Sequence, residues 1–438
     1  MIPFKISDFL SVRRVLHWRR LLWKSQFFPP DQLEQLQWEL VSAILDNCFA
    51  DVPYYREKWR LLGLSRSDFR SLADLSRLPL IPKSDIIDGM ESFKSDRIER
   101  YRPKSIRTAG TTGSPMQVYW DLDSNILELT CNWRHYSWFG YRLGTPFLDI
   151  RNFRRHLEDT WAWNWKCRGL ETSSLFWDES NIGECRDMLK QRRIRMWRGH
   201  PTALGHLCRL FQNAGIDDVR PDIVVSVAET LPKHERRFIE DWTGRPVGDS
   251  YGLIEHTALI CQCPAGGYHI APEYGIVEIL RDDGTPAGPG EEGRIVATGL
   301  HNRAFPLIRY DTGDFAVASG ESCPCGRTLP IVKALRGRVV DRILDAGGNW
   351  VSGVHGLFKY YDGIRTSQVV QFEAGALDVY LVPARNFDDG LRALVVSDIR
   401  RELGEDMTIR THIVNEVPFP SANKFKFVVN RIGKSAAA

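Results

Sequence analysis

Between residues 104 and 330, short strand-like runs alternate with helical ones. That alternation limits the possible folds more than any other feature of the chain. "DIVVSVAET" (222–230), "YGIVEIL" (274–280) and "EGRIVATGL" (292–300) are rich in β-branched residues, whereas "ALGHLCRLFQNAG" (203–215) repeats its apolar residues at helical spacing. The expected fold is therefore α/β, built on a large sheet. Residues 31–48 read as a helix, followed by "VPYYREKW" (52–59), and "RDDGTPAGPGEEGR" (281–294) reads as a turn-rich hairpin connection between close strands. From about Gly337 the character changes to a short mixed segment ending in "THIVNEVPFPSANKFKFVVN". We place the boundary there, giving a large unit over 1–336 and a small one over 337–438.

With 438 residues the chain can bury a large core in two or three domains. The excess of 58 basic over 55 acidic side chains, a net +3, is too mild to imply a nucleic-acid partner. No run approaches the roughly 20 apolar residues of a spanning helix. "MIPFKISDFLSVRRVL" does not resemble a secretory leader, so the expected location is cytoplasmic. Within residues 1–28, Val12, Val15, Leu16, Leu22 and Trp23 alternate with Arg13, Arg14, Arg19, Arg20 and Lys24 as in a basic amphipathic helix. Such a helix can pack on its own domain with a solvated arginine face. Alternatively, it can lie on an anionic surface such as the inner membrane.

Nine cysteines are divided between five scattered ones (Cys48, Cys131, Cys167, Cys185, Cys208) and two tight groups, "CQC" at 261–263 and "CPC" at 323–325. In a reducing compartment scattered cysteines read as core thiols, and clustered ones suggest metal before disulfide.

The loop "TAGTTGSPMQVYWD" (108–121) can hold an anion: Gly110 and Gly113 allow backbone N–H groups to converge, and Thr111, Thr112 and Ser114 add hydroxyl donors. No Gly-Lys-Ser/Thr follows, so it is not a Walker loop. Alone it could equally be a plain turn. Further along come "DSYGLIEH" (249–256), "RYDTGD" (309–314), "GRVVDRI" (337–343) and "SANKFKF" (421–427), in that order.

Taken with "DVPYYREKW", "LPLIPKSDI" and "CPCGRT", this ordered set resembles the adenylate-forming ligase superfamily, and within it the phenylacetate–CoA ligase branch and the CapK-type capsule-biosynthesis proteins. The resemblance covers nearly the whole chain. It implies a large N-terminal α/β domain with a small α+β C-terminal lid, ATP and Mg²⁺ as requirements, and a two-part reaction. A carboxylate attacks the α-phosphate of ATP to give acyl-AMP and pyrophosphate, and an acceptor then takes the acyl group. The acceptor would be CoA or, following the capsule resemblance, a sugar amine or hydroxyl or a carrier protein.

The resemblance also assigns residues. Thr108, Gly110, Thr111, Thr112, Gly113 and Ser114 would hold the outer phosphates. Tyr251 and Gly252 would lie against adenine, and Glu255 would bind Mg²⁺. Asp314 would accept from the ribose hydroxyls, a task suited to an acceptor-only carboxylate. Lys424 would meet the charge that builds on the α-phosphate, and Arg338 would contact the nucleotide from the domain junction. Two departures stand out: Asn423 replaces the usual glycine of the lysine loop, and Val340 replaces the usual pivot residue.

Cys263 and His269 with Cys323 and Cys325 would make a closed Cys₃His set suited to structural Zn²⁺, with Cys261 as the competing ligand. Trp133 and Tyr136, together with "TWAWNWK" (160–166), would wall the acyl pocket unless they are core, and Glu229 would lie near the acyl and nucleotide sites. His135, His200 and His256 need no base role, because a carboxylate is already ionised at neutral pH. The rival reading is a non-catalytic, zinc-stapled binding or scaffold protein on the same fold.

Overall fold

The computed structural model describes residues 12–107, 116–151, 160–165, 167–338, 342–348, 350–352, 361, 363–384, 386–419 and 427–432. Strands β1 (Lys104–Arg107) and β2 (Gln117–Trp120) form an antiparallel hairpin in which Arg107 faces Gln117. Asp121 then starts the helix Leu122–Ser137, its carboxylate accepting the Ser124 N–H at 2.7 Å.

The large sheet is built from β3 (Phe147–Arg151), β4 (Trp161–Asn164), β5 (Gly169–Ser173), β6 (Met196–Gly199), β7 (Ile223–Val227) and β8 (Val247–Gly252). It continues through β9 (Leu259–Gln262), β10 (Tyr268–Ile270), β11 (Gly275–Leu280), β12 (Glu292–Gly299), β13 (Tyr310–Ala318) and β14 (Ile331–Arg338). Among the described residues their order is β11-β12-β13-β14-β10-β9-β8-β7-β6-β3-β5-β4. The stretch β8-β7-β6-β3-β5 is parallel and the remaining pairings are antiparallel.

Parallel strands need cover on both faces, and the sequence supplies it. Helices Ile182–Gln191, Pro201–Asn213 and Lys233–Thr243 bury Leu189, Leu204 and Ile239 against Leu148, Ile150, Trp197 and Val224. On the other face Tyr136 and Tyr141 pack with Phe147, Met196, Ile223 and Val225. Helices Pro30–Asp51 and Pro53–Leu61 both open on proline, which suits a first helical turn. They bury Ile44, Leu45, Tyr55 and Trp59 against Phe305, Leu307 and Tyr310.

The N-terminal helix Val12–Ser25 spends most of its apolar side inside the protein. Leu22 is fully buried, and Trp18 and Trp23 pack beside it against Leu127, Leu259 and Tyr274. Val12 and Leu16 remain half exposed. No helix among the described residues is long and apolar enough to cross a membrane.

β15 (Arg342–Leu344) pairs with β16 (Trp350–Ser352). Then β17 (Ile364–Gln371), β18 (Ala376–Pro383), β19 (Thr408–Ile413) and β20 (Val428–Asn430) form a four-stranded sheet in the order β19-β18-β17-β20. Helix Asp389–Leu403 covers it, burying Val395 and Ile399 against Val369, Val379 and Leu381. The α/β fold expected from the alternating pattern is present, with a small α+β unit at the C-terminal end.

Candidate functional site

In open α/β sheets ligands gather at the carboxyl ends of the strands, because loops there are free to vary while the sheet holds them rigidly. Tyr251 and Gly252 end β8 and Glu255 lies in the turn that follows. Asp314 lies on β13, four strands away in the sheet order. Side chains close that gap: the Tyr251 hydroxyl donates to Asp314 Oδ2 at 2.9 Å. Burial first, and then the Asp314 charge, push the Tyr251 phenol well above its ordinary pKa, so it remains a donor. Glu255, 5 % exposed, accepts from the Tyr310 hydroxyl at 3.1 Å. Tyr251, Glu255, Tyr310 and Asp314 thus form one cluster carrying two carboxylates.

Local backbone explains the placing of Asp314. Gly313 takes a left-handed φ of 72°, and the Thr312 side chain accepts the Asp314 N–H at 3.1 Å. The register shifts after Phe315, and Asp314 lies directly opposite the backbone of Arg338 on β14. "LPLIPKSDI" fastens the same strand: Ile81 forms a bridge with Tyr310, and the Arg309 guanidinium donates to the carbonyls of Ser76 and Leu78 while pairing with Glu278.

The glycine–threonine loop lies outside the described residues, including Thr108, Gly110, Thr111, Thr112, Gly113 and Ser114. So do Lys424 and Asn423, and Val340. The strands flanking the loop are described, and the end of β2 away from the loop touches the turn that carries Glu255. Trp120, on β2, stacks on the His256 ring at 4.2 Å and donates its indole N–H to the Ile254 carbonyl. Neither Trp120 nor Tyr310 was singled out from the sequence. A tryptophan six residues after Ser114 and a tyrosine four before Asp314 were the available signals. His256 has a φ of 55°, and burial pushes its pKa down to about 4, so it is neutral.

Glu229 follows β7, and its carboxylate accepts from Thr202 Oγ1 at 2.9 Å, with His200 Nδ1 at 3.6 Å. Tyr136 and Trp133 belong to the apolar cluster between their helix and the sheet. Of the stretch 160–166, residues Trp161–Asn164 are edge strand β4: Trp161 and Trp163 pack against the core on the opposite face, under the Arg192 guanidinium, and Trp165 is exposed. Period-two alternation placed these rings where a linear reading of aromatic density could not.

The cysteine groups converge. One ligand atom each from Cys263, His269, Cys323 and Cys325 lies within 4.8 Å of all the others. Cys263 Sγ is 3.5 Å from Cys323 Sγ, and Cys325 Sγ is 3.3 Å from His269 Nε2. A tight turn forms one half: the Gly267 carbonyl accepts the Cys263 N–H, and Gly266 has a φ of 91°. His269 Nδ1 lies 3.3 Å from the Leu329 carbonyl, which orients the ring and leaves Nε2 for a cation. Burial, then the neighbouring Cys323, push the Cys263 thiol up to about 11. A divalent cation reverses that preference and is what such a donor set fits. Cys261 points elsewhere, its sulfur 3.8 Å from Ser250 Oγ among Leu127, Cys131 and Leu259. It is not part of the group.

Known proteins are similar to this chain. The CapK C-terminal domain family matches residues 345–431. A phenylacetate–coenzyme A ligase of Thermus thermophilus is 25 % identical over 345 residues, covering 73 % of this chain and 74 % of its own. One from Pseudomonas putida is 25 % identical over 421 residues, covering 87 % and 88 %. Among solved structures, a 2-hydroxyisobutyryl-CoA ligase in the postadenylation state with 2-HIB-AMP superposes with a TM-score of 0.68 at 15 % identity, covering 92 % of this chain and 90 % of that one. The sheet order, the tyrosine–carboxylate cluster and the C-terminal match agree, and together they make the chain similar to adenylate-forming ligases of the phenylacetate–CoA ligase and CapK-like branch.

Proposed function

We propose that this chain condenses a carboxylic acid with ATP to an acyl-adenylate, releasing pyrophosphate, and passes the acyl group to coenzyme A. The observation that carries this reading is the convergence of Tyr251, Glu255, Tyr310 and Asp314 from β8 and β13 into one cluster. Asp314 accepts from the ribose hydroxyls, with Tyr251 holding its second oxygen and lying along the adenine beside Gly252. Glu255, held by Tyr310, is the ligand for Mg²⁺, which offsets phosphate charge when bound. Thr108, Gly110, Thr111, Thr112, Gly113 and Ser114 grip the leaving pyrophosphate. Arg338 and Lys424 come from the junction and the C-terminal unit, and Lys424 stabilises charge on the α-phosphate as the acid attacks. In this reading the boundary near Gly337 separates the adenylation domain from a lid. No covalent enzyme intermediate is needed; positioning and preorganised charge carry the rate.

The donor set Cys263, His269, Cys323 and Cys325 supports structural Zn²⁺, with no open position for chemistry. The CapK match supports a place in surface-polysaccharide assembly, where a sugar amine or hydroxyl, or a carrier protein, is the final acyl acceptor. Contact with an anionic inner-membrane surface rests on Val12 and Leu16, the apolar residues of the first helix left half exposed among arginines. If Val12→Ser/Leu16→Ser binds anionic vesicles as well as the parent does, that contact is ruled out.

Carboxylate-dependent exchange of pyrophosphate into ATP, run over an acid library, tests the central claim. Exchange should appear with at least one acid and fall at least about a hundredfold in Lys424→Ala, as expected on removing a main transition-state charge. Absence of exchange with every acid would leave the non-catalytic binding protein as the reading.

A further inference from the structure

We infer that the acid activated here carries a second anionic group, and that Arg198 receives it. The inference rests on the ligase reading above and concerns the acyl end of the same site. Along the sheet face turned toward helix Leu122–Ser137, side chains change character from one end of the strands to the other. The first aligned row is apolar: Phe147, Met196 and Ile223. Two residues on, the row reads Glu171, Asp149, Arg198, Val225 across β5, β3, β6 and β7. Arg151 follows at the carboxyl end of β3. Charge therefore enters an otherwise apolar interior at the strand ends where ligands bind.

The two arginines are not held alike. Arg151 donates one hydrogen bond to Asp149, Nη2 to Oδ2 at 3.1 Å, with Nε at 3.0 Å from Oδ1 as an ion-pair contact only, and Asp149 is 1 % exposed. Arg198 reaches the same carboxylate only at 3.8 Å and makes no hydrogen bond among the described residues. Its side chain is 19 % exposed and its buried Nε has no partner. The guanidinium lies 6.0 Å from the Tyr136 ring centroid, so it occupies the space between β6 and the helix. Glu128 and Glu171 also act on it electrostatically, but neither is an ion-pair partner among the described residues. Burial works against its charge, yet Tyr136 and Asp149 hold it above the ordinary arginine value. It is a lasting cation, loosely paired with Asp149 and with its buried Nε free of any hydrogen bond, and its planar fork suits a carboxylate.

Distance fits the assignment. β6 lies two strands from β8 in the sheet order, and Glu255 follows β8 directly. By register, Arg198 is level with Val225 and Gly248, and Gly252 lies four residues further along β8. Two strand spacings across and four residues along combine to roughly 16 Å, the reach of a long dicarboxylic acid with one carboxylate at the nucleotide and the other met by the Arg198 guanidinium.

Pyrophosphate exchange with the full-length protein tests this, using succinate, glutarate, adipate and suberate against monocarboxylates of equal length and against amino acids of similar size. We expect at least one dicarboxylate to exceed its monocarboxylate partner by about tenfold or more in kcat/KM, as a site with a buried donor left without its hydrogen bond should enforce. Arg198→Met should erase that preference, chiefly through KM, bringing dicarboxylates level with monocarboxylates of equal length. Arg198→Lys, which keeps the charge and loses the fork, should fall between, and unchanged melting temperatures would exclude a folding defect. Monocarboxylates or amino acids preferred by the parent protein would overturn the inference and leave the ligase reading standing, as would a dicarboxylate preference that survives in Arg198→Met. No exchange with any acid would sink both.

Discussion

At the scale of single residues, the site depends on contacts that motif reading passes over. Tyr310 holds Glu255 by one hydrogen bond, so Tyr310→Phe should slow pyrophosphate exchange about two- to tenfold, the worth of such a bond, with little change in melting temperature. His301 gives a second test. Burial pushes its pKa down to about 4, and its ring contacts the Glu273 carbonyl. An unfolded histidine titrates near 6.5, so between these values the unfolded chain binds a proton that the folded one refuses. Its stabilising contribution is present above about pH 6.5 and is lost as pH falls toward 4. The stability gap between the parent and His301→Gln, from urea unfolding, should therefore shrink by up to about 1.4 kcal/mol per pH unit across that window. Glu255, Asp314 and Tyr251 stood out in the sequence because turn residues frame them. Tyr310 and Trp120 did not, because what they do depends on partners 55 and 134 residues away.

At the scale of elements, the two cysteine-bearing turns are held to a narrow geometry. A Cβ added to Gly267 would lie 2.6 Å from Cys323 Sγ, closer than any real contact. Gly267→Ala should displace that sulfur and cut bound zinc below about half an equivalent per chain by elemental analysis, as Cys323→Ser should, because a four-ligand site tolerates little misplacement. The pairing of these turns was readable from cysteine spacing and the likeness to known proteins. The choice of Cys263 over Cys261 follows from strand geometry. Cys261, within β9, points its sulfur to Ser250, whereas Cys263, just past the strand, turns toward Cys323. Strand geometry also decides at β4: alternation on an edge strand sends Trp161 and Trp163 into the core on the face away from Tyr136.

Across the whole molecule, the least legible feature is a buried ion pair. Arg134 donates to Glu273 at 2.7 and 3.2 Å, and the Glu273 side chain is fully buried. Nothing in the local sequence marks residues 139 apart as partners. Removing one side of a buried pair strands the other, so Glu273→Gln should cost about 3–5 kcal/mol in urea unfolding. Leu22→Ala, which hollows the seat of the first helix, should cost about 2–5 kcal/mol. That seat has a bearing on how the chain is made. The Gln26 carbonyl accepts the N–H of Thr328, and its side-chain oxygen accepts from Arg327 Nε, 301 residues downstream. As the chain is synthesised, Trp18, Leu22 and Trp23 emerge well before Leu127, Leu259 and Tyr274, which cover them in the folded protein. During that interval these apolar residues are a natural target for a chaperone, and release should wait until the segment through Tyr274 has emerged.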